Sequence, residues 1–148
     1  MTELIPIFPS AEENAELLQH PELSEVLSMT ISYYDVIGFH QPWIGYLVRQ
    51  NQEWVGSAAF KGAPVENKIE IAYWVFEAYE GRGIGTQICH ELVSLAQATD
   101  PGLTITARTL PERNASCRIL EKNGFRLLGT VYEKDDGDVW EWRYQQEP

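Results

Sequence analysis

The sequence predicts a mixed α/β fold (α+β), with a mostly antiparallel central sheet flanked by helices and one strand–helix–strand crossover at its centre. Three observations predict it. A glycine-rich turn, Glu80-Gly-Arg-Gly-Ile-Gly-Thr86, lies between an apolar strand-like run and an amphipathic helical run. Apolar runs on either side come in pairs joined by short turns, the pattern of hairpins. The chain has 148 residues, 44% hydrophobic and 22% charged, which fits one domain with its own core.

Residues 11–34 read as helical, and Pro21 divides them into two short helices. An aromatic-rich loop is expected over 33–42. Residues 44–50 and 53–61 read as strands around the turn Asn51-Gln52, and Gly62-Ala63-Pro64 ends the second. Residues 69–79 form a long strand. The helix after the glycine turn spans 83–99, with Ile84, Ile88, Leu92, Leu95 and Ala96 on one face, and Asp100-Pro101-Gly102 stops it. Residues 103–109 are rich in β-branched side chains and read as a strand. Residues 114–122 are a short helix, for which Asn114 is one N-cap and Thr109 with Glu112 a competing capping box. Two last strands, 125–133 and 139–144, flank Asp135-Asp136-Gly137. The central strand–helix–strand unit closes with a right-handed crossover.

The net charge of −11 argues against a nucleic-acid partner, which needs a basic face. It favours a cationic small molecule or a basic peptide. Cys89 and Cys117 sit in predicted helices without metal-ligand spacing and read as small buried hydrophobes. No basic segment followed by an apolar core opens the chain, and no apolar run reaches the roughly 18 residues that span a bilayer. A cytoplasmic location without a membrane partner is therefore expected.

Backbone N–H groups exposed at a helix N-terminus attract anions, and glycines let a phosphate approach closely. A P-loop needs Lys-Ser/Thr after its last glycine, but Thr86-Gln87 follows Gly85 here. A dinucleotide fingerprint needs Gly-x-Gly-x-x-Gly and an acid ending the next strand. Here the spacing is Gly81-x-Gly83-x-Gly85 and the next strand ends in Arg108-Thr109. A tight turn with no ligand stays open on the glycines alone.

The run Glu70-Ile-Ala-Tyr-Trp-Val-Phe-Glu-Ala-Tyr-Glu-Gly-Arg-Gly-Ile-Gly85 resembles the acetyl-coenzyme A motif of the GNAT superfamily. Further on, Asn114-Ala-Ser-Cys-Arg-Ile-Leu-Glu-Lys-Asn-Gly-Phe125 resembles its second motif, in the style of the Rim-type branch of ribosomal-protein N-terminal acetyltransferases. The match covers about residues 55–129. The N-terminal third matches poorly, and a first family strand is hard to find there.

The resemblance implies acetyl-CoA as co-substrate, no metal, and direct acetyl transfer to a primary amine, either a peptide N-terminus or a small molecule. The pyrophosphate would lie on the loop amides from Arg82, Gly83, Ile84, Gly85 and Thr86. Glu80 departs from the family's Gln or Arg and sets a negative charge beside the phosphates. The strand edge at Trp74, Val75 and Phe76 would hold the pantetheine arm, with Asn114 either orienting it or capping its helix. Glu70 shares a strand face with Ala72, Trp74 and Phe76 and is the candidate base. That face reads as largely apolar, which favours a neutral carboxyl; a structural ion pair is the competing role. Leu120 stands where many relatives have a thiolate-protonating tyrosine. Ser116 is the branch's candidate for that role, or a helix cap. Tyr33, Tyr34 and Trp43, with Phe39 and His40, fall where relatives line the acceptor groove, or they are core. Trp140 and Trp142 read as packing. Neither cysteine has a visible His partner, so no acyl-enzyme is expected. A coenzyme A-binding module without turnover is the alternative class, and another acyl donor is a further one. Relatives often form homodimers.

Overall fold

The computed structural model describes residues 1–145. Its strands are β1 (Thr2–Pro6), β2 (Gly45–Gln50), β3 (Glu53–Phe60), β4 (Lys68–Val75), β5 (Thr104–Thr109), β6 (Phe125–Glu133) and β7 (Gly137–Tyr144). Its helices are α1 (Ser24–Ile37), α2 (Ile84–Thr99) and α3 (Ala115–Lys122), with short 3-10 turns at Leu17–Gln19, Pro21–Leu23 and Glu77–Tyr79.

One sheet takes the order β1-β2-β3-β4-β5-β7-β6. Every neighbouring pair is antiparallel except β4 with β5, the pair that α2 connects. The expected mixed sheet with a single central crossover is what forms. The β2–β3 turn at Asn51-Gln52 has φ of 49° and 67°, which matches the right-handed strand twist.

Three elements differ from expectation. The missing first strand is β1, which pairs with β2 from Thr2↔Gln50 to Pro6↔Tyr46. Its sequence holds polar and proline residues because it is an edge strand, and pairing rather than pattern defines it. Instead of two helices across 11–34, the segment holds turns and then α1, which runs on to Ile37 through the expected loop. Tyr34 is buried there and its hydroxyl donates to the Phe60 carbonyl, so tertiary contact carries the helix past the aromatic stretch. Gly38, with φ of 101°, ends it. β4 stops at Val75 rather than running to residue 79, because the chain folds into the Glu77–Tyr79 turn, where Tyr79 Oη donates to Glu53 at 2.5 Å.

α2 and α3 cover one sheet face. Ile69, Ile71, Ile105 and Trp142 pack there with Ile88, Leu92 and Leu120. α1 covers only part of the other face, over Leu47, with Leu23 and Leu27 in a smaller cluster. The expected burial of Cys89 and Cys117 holds, and Trp142 is packed as expected, its indole donating to Thr109 Oγ1 at 3.0 Å. Among the described residues, no helix is long and apolar enough to cross a membrane.

Candidate active site

The parallel ladder of β4 and β5 is short. It pairs Lys68↔Thr104 through Ile71↔Ala107 and then ends, while β4 continues on β3 as far as Val75↔Gly56. The sheet therefore parts between β4 and β5, and among the described residues the β4 backbone beyond Ile71 has no strand partner on that side. The glycine turn and the start of α3 close over this gap. Together they form a cleft of about 590 Å³ bordered by Tyr73, Trp74, Val75, Gly83, Ile84, Gly85, Thr86 and Ser116.

The glycine turn is built as the sequence predicted. Gly81 and Gly83 have φ of 79° and 75°, a left-handed backbone that side chains disfavour. Gly83 is the N-cap of α2 with no side-chain cap, so the first amides of a sixteen-residue helix face the cleft without an internal acceptor. Gly85 answers a packing need as well: a Cβ there would lie 2.5 Å from Ile119 Cδ1 of α3. That contact lets the two helices approach closely enough to share one cleft.

The charges at the cleft lie on opposite sides of it. Glu80 lines one side and is exposed. Arg118 and Lys122, one turn apart on α3, line the other and supply two cations toward an anion held at the turn. Sequence reasoning missed both; their i, i+4 spacing on an amphipathic helix was the available signal. Arg82 instead lies over the Tyr79 ring, 5.4 Å from its centroid. Phe76 faces away from the cleft and lines the neighbouring groove with Trp54 and Trp74.

Asn114 and Ser116 take separate positions. Asn114 is the N-cap of α3, its Oδ1 accepting from the Cys117 amide at 3.1 Å, which settles the competition with Thr109 and Glu112. Ser116 lines the cleft. Tyr73, which sequence reasoning also missed, reaches across from β4 and donates weakly to the Ser116 carbonyl at 3.5 Å. Burial pushes its pKa well above the usual tyrosine value, with smaller contributions from Cys89 and Cys117, so the phenol keeps its proton. Leu120 is fully buried in the core.

The environment of Glu70 differs from the apolar strip expected. Lys61 Nζ lies 2.8 Å from Oε2, off the hydrogen-bonding direction, and Arg108 Nε lies 3.8 Å from Oε1. Arg108 also meets Glu133 at 3.5 Å and Glu141 at 3.9 Å. Along β4, Ile69 and Ile71 are buried while Glu70 and Ala72 between and beyond them are half-buried. The cations come from β5 and from the residue after β3, and spacing along one strand could not show them. Burial opposes the Lys61 charge, but Glu70 and then Glu133 outweigh it and lift its pKa above the ordinary lysine value. Glu70 borders neither this cleft nor the groove beside it.

The three aromatic candidates for the acceptor separate. Trp43 is buried edge-on against Phe60, with ring centroids 5.1 Å apart, and Tyr34 is fixed by its bond to Phe60. Both are core residues, because Phe60 of β3 packs against Trp43 and accepts the Tyr34 hydroxyl of α1. Tyr33 stays 43% exposed on α1 and meets Tyr34 edge-on.

Comparison with known proteins agrees with this architecture. The family model described as acetyltransferase (GNAT) domain matches residues 9–126. No curated protein matches the chain. Among solved structures, the fold is similar to RimL, the ribosomal L7/L12 alpha-N-protein acetyltransferase, in complex with coenzyme A. That chain is 20% identical, with a TM-score of 0.67 over 96% of this chain and 92% of the other. The aminoglycoside acetyltransferase AAC(6')-Ib in complex with coenzyme A is 19% identical, with a TM-score of 0.69 over 99% and 95%. A chimera of the spermidine N-acetyltransferase SpeG from Vibrio cholerae with hSSAT is 15% identical, with a TM-score of 0.69 over 98% and 95%.

Proposed function

We propose, for a chain that belongs to the GNAT acetyltransferase domain family, an N-acetyltransferase that moves acetyl from acetyl-CoA directly to a primary amine. The observation that carries this is the parted β4–β5 ladder closed by the glycine turn. It offers a strand edge for an amide-bearing arm and, beyond it, free helix amides for a pyrophosphate. The similar structures that hold coenzyme A support the ligand.

The amine nitrogen attacks the thioester carbonyl carbon, forming the C–N bond as the C–S bond breaks. The amine loses a proton and the departing thiolate gains one. An amine of pKa near 10.4 is almost wholly protonated at neutral pH, so a base accelerates the step. Glu70, the one carboxylate on β4, takes that role through water, with Lys61 and Arg108 fixing its orientation. Ser116, whose helix is already capped by Asn114, donates to the thiolate. Tyr73, kept neutral by burial, is the second donor within the same cleft.

A coenzyme A-binding module without turnover is favoured by two observations, the ion-paired state of Glu70 and the buried Leu120. Calorimetric titration with acetyl-CoA, run beside a thiol-release assay over a panel of amines, separates the readings. Binding with amine-dependent thiol release is expected. Binding without release for any amine would favour the module, and absence of binding would overturn both.

A further inference from the structure

A second groove of about 960 Å³ lies on the opposite face of β4, between the N-terminal half of α1 and the ends of β3 and β4. Trp74 and Tyr79 border both this groove and the acetyl-CoA cleft, so the two spaces meet at these two side chains. Its walls are aromatic: Trp54, Phe76 and Trp74, the last 66% exposed although it is among the largest apolar side chains. Its rim carries Glu22, Glu25 and Glu53, and among the described residues no Lys or Arg lines it. His20 is drawn to Glu22 at 3.4 Å, and Glu53 accepts from Tyr79. Arg49 reaches Trp54 from beside the groove, but Glu3 holds its guanidinium in two hydrogen bonds at 3.2 Å. The space is thus wide, aromatic-walled and negative at its rim.

We propose that this groove takes a small-molecule polyamine, one amine reaching the thioester past Trp74 while a second, protonated amine lies against the aromatic walls and the rim carboxylates. Aromatic faces attract ammonium groups, and carboxylates fix them. A monoamine fills only the first position. An acidic peptide is repelled by the rim. The inference rests on the acetyltransferase reading and names its substrate class.

The test measures thiol release from acetyl-CoA with spermidine, n-butylamine, a lysine-free peptide bearing a free N-terminus, and a lysine-rich peptide. Spermidine is expected to show kcat/KM about tenfold above n-butylamine, two rim charges at modest strength each. That advantage should shrink as ionic strength rises from about 20 mM to about 300 mM. In a Glu25→Gln/Glu53→Gln variant, KM for spermidine should rise about tenfold while KM for n-butylamine and the acetyl-CoA Kd change little. Equal KM for spermidine and n-butylamine, or preference for either peptide, would overturn the proposal. Should no amine release thiol, the acetyltransferase reading fails by itself. The groove is then judged by calorimetric spermidine binding, which supports it if lost in the variant and overturns it if absent from the wild type.

Discussion

Ile71 and Ala107 are the last partners of the parallel ladder, and beyond them β4 and β5 part. A parting at that register leaves backbone groups of β4 between residues 72 and 75 open to a ligand. Acetyl-CoA is therefore expected to slow amide hydrogen exchange at residues 72–76 and 81–86 together. Protection of the glycine turn alone would mean that the arm does not pair with β4.

Gly85 and Ile119 set how closely α2 approaches α3. A Cβ at residue 85 would meet Ile119 Cδ1 at 2.5 Å and Val75 Cγ2 at 3.4 Å. Gly85→Ala should lower stability by about 1–3 kcal/mol through overpacking and weaken acetyl-CoA binding. Ile119→Val removes the clashing methyl and should restore most of both losses in the double variant, at its own cost of about 0.5–1.5 kcal/mol. Urea titration of the four proteins and acetyl-CoA calorimetry check this. Strictly additive effects would rule out the contact as the cause.

Arg108 holds Glu70, Glu133 and Glu141 on one face of the sheet. Arg108→Met leaves those carboxylates facing one another with only Lys61 nearby. The variant should lose about 1–3 kcal/mol at pH 7, read by urea titration. Glu70→Gln is expected to cut kcat by about 10²-fold or more while leaving the acetyl-CoA Kd little changed. An unchanged kcat would leave Glu70 a purely structural partner.

Asn114 caps α3 and Ser116 faces the cleft, so their variants should separate. Asn114→Ala should cost about 1 kcal/mol of stability, and Asn114→Asp little. Ser116→Ala should leave urea stability nearly unchanged and lower kcat more than it raises KM. Equal stability losses in both would make Ser116 a second cap.

Much of this was legible along the chain, for physical reasons. The glycine turn, the Asn114 cap and the β2–β3 turn are local features, in which backbone conformation and a side chain within three residues decide the outcome. β1 was not legible, because an edge strand with Thr2, Glu3 and Pro6 carries no alternation and forms only through β2. The extension of α1 depends on the Tyr34 hydroxyl meeting Phe60 from another element. The charges around Glu70 and the placement of Arg118 and Lys122 are likewise products of the sheet order and helix docking, which join residues far apart in sequence.

Burial holds protons on Cys89 and Tyr46 into the alkaline range. Desolvation pushes the Cys89 thiol from an ordinary value of 9.0 up to about 12, and Tyr46 from 10.0 up to about 12. Both groups keep their protons in the folded protein at pH values where the unfolded chain gives them up. Their contribution is complete below the unfolded pKa and is lost as pH rises toward the folded one. Stability should thus fall above about pH 9, by roughly 1.4 kcal/mol per pH unit for each such group in its window. At pH 8 Cys89 is a neutral, enclosed thiol, so thiol reagents should label it only as fast as the protein unfolds. Rapid labelling of Cys89 in the native protein at pH 8, or stability level from pH 8 to 11, would contradict this.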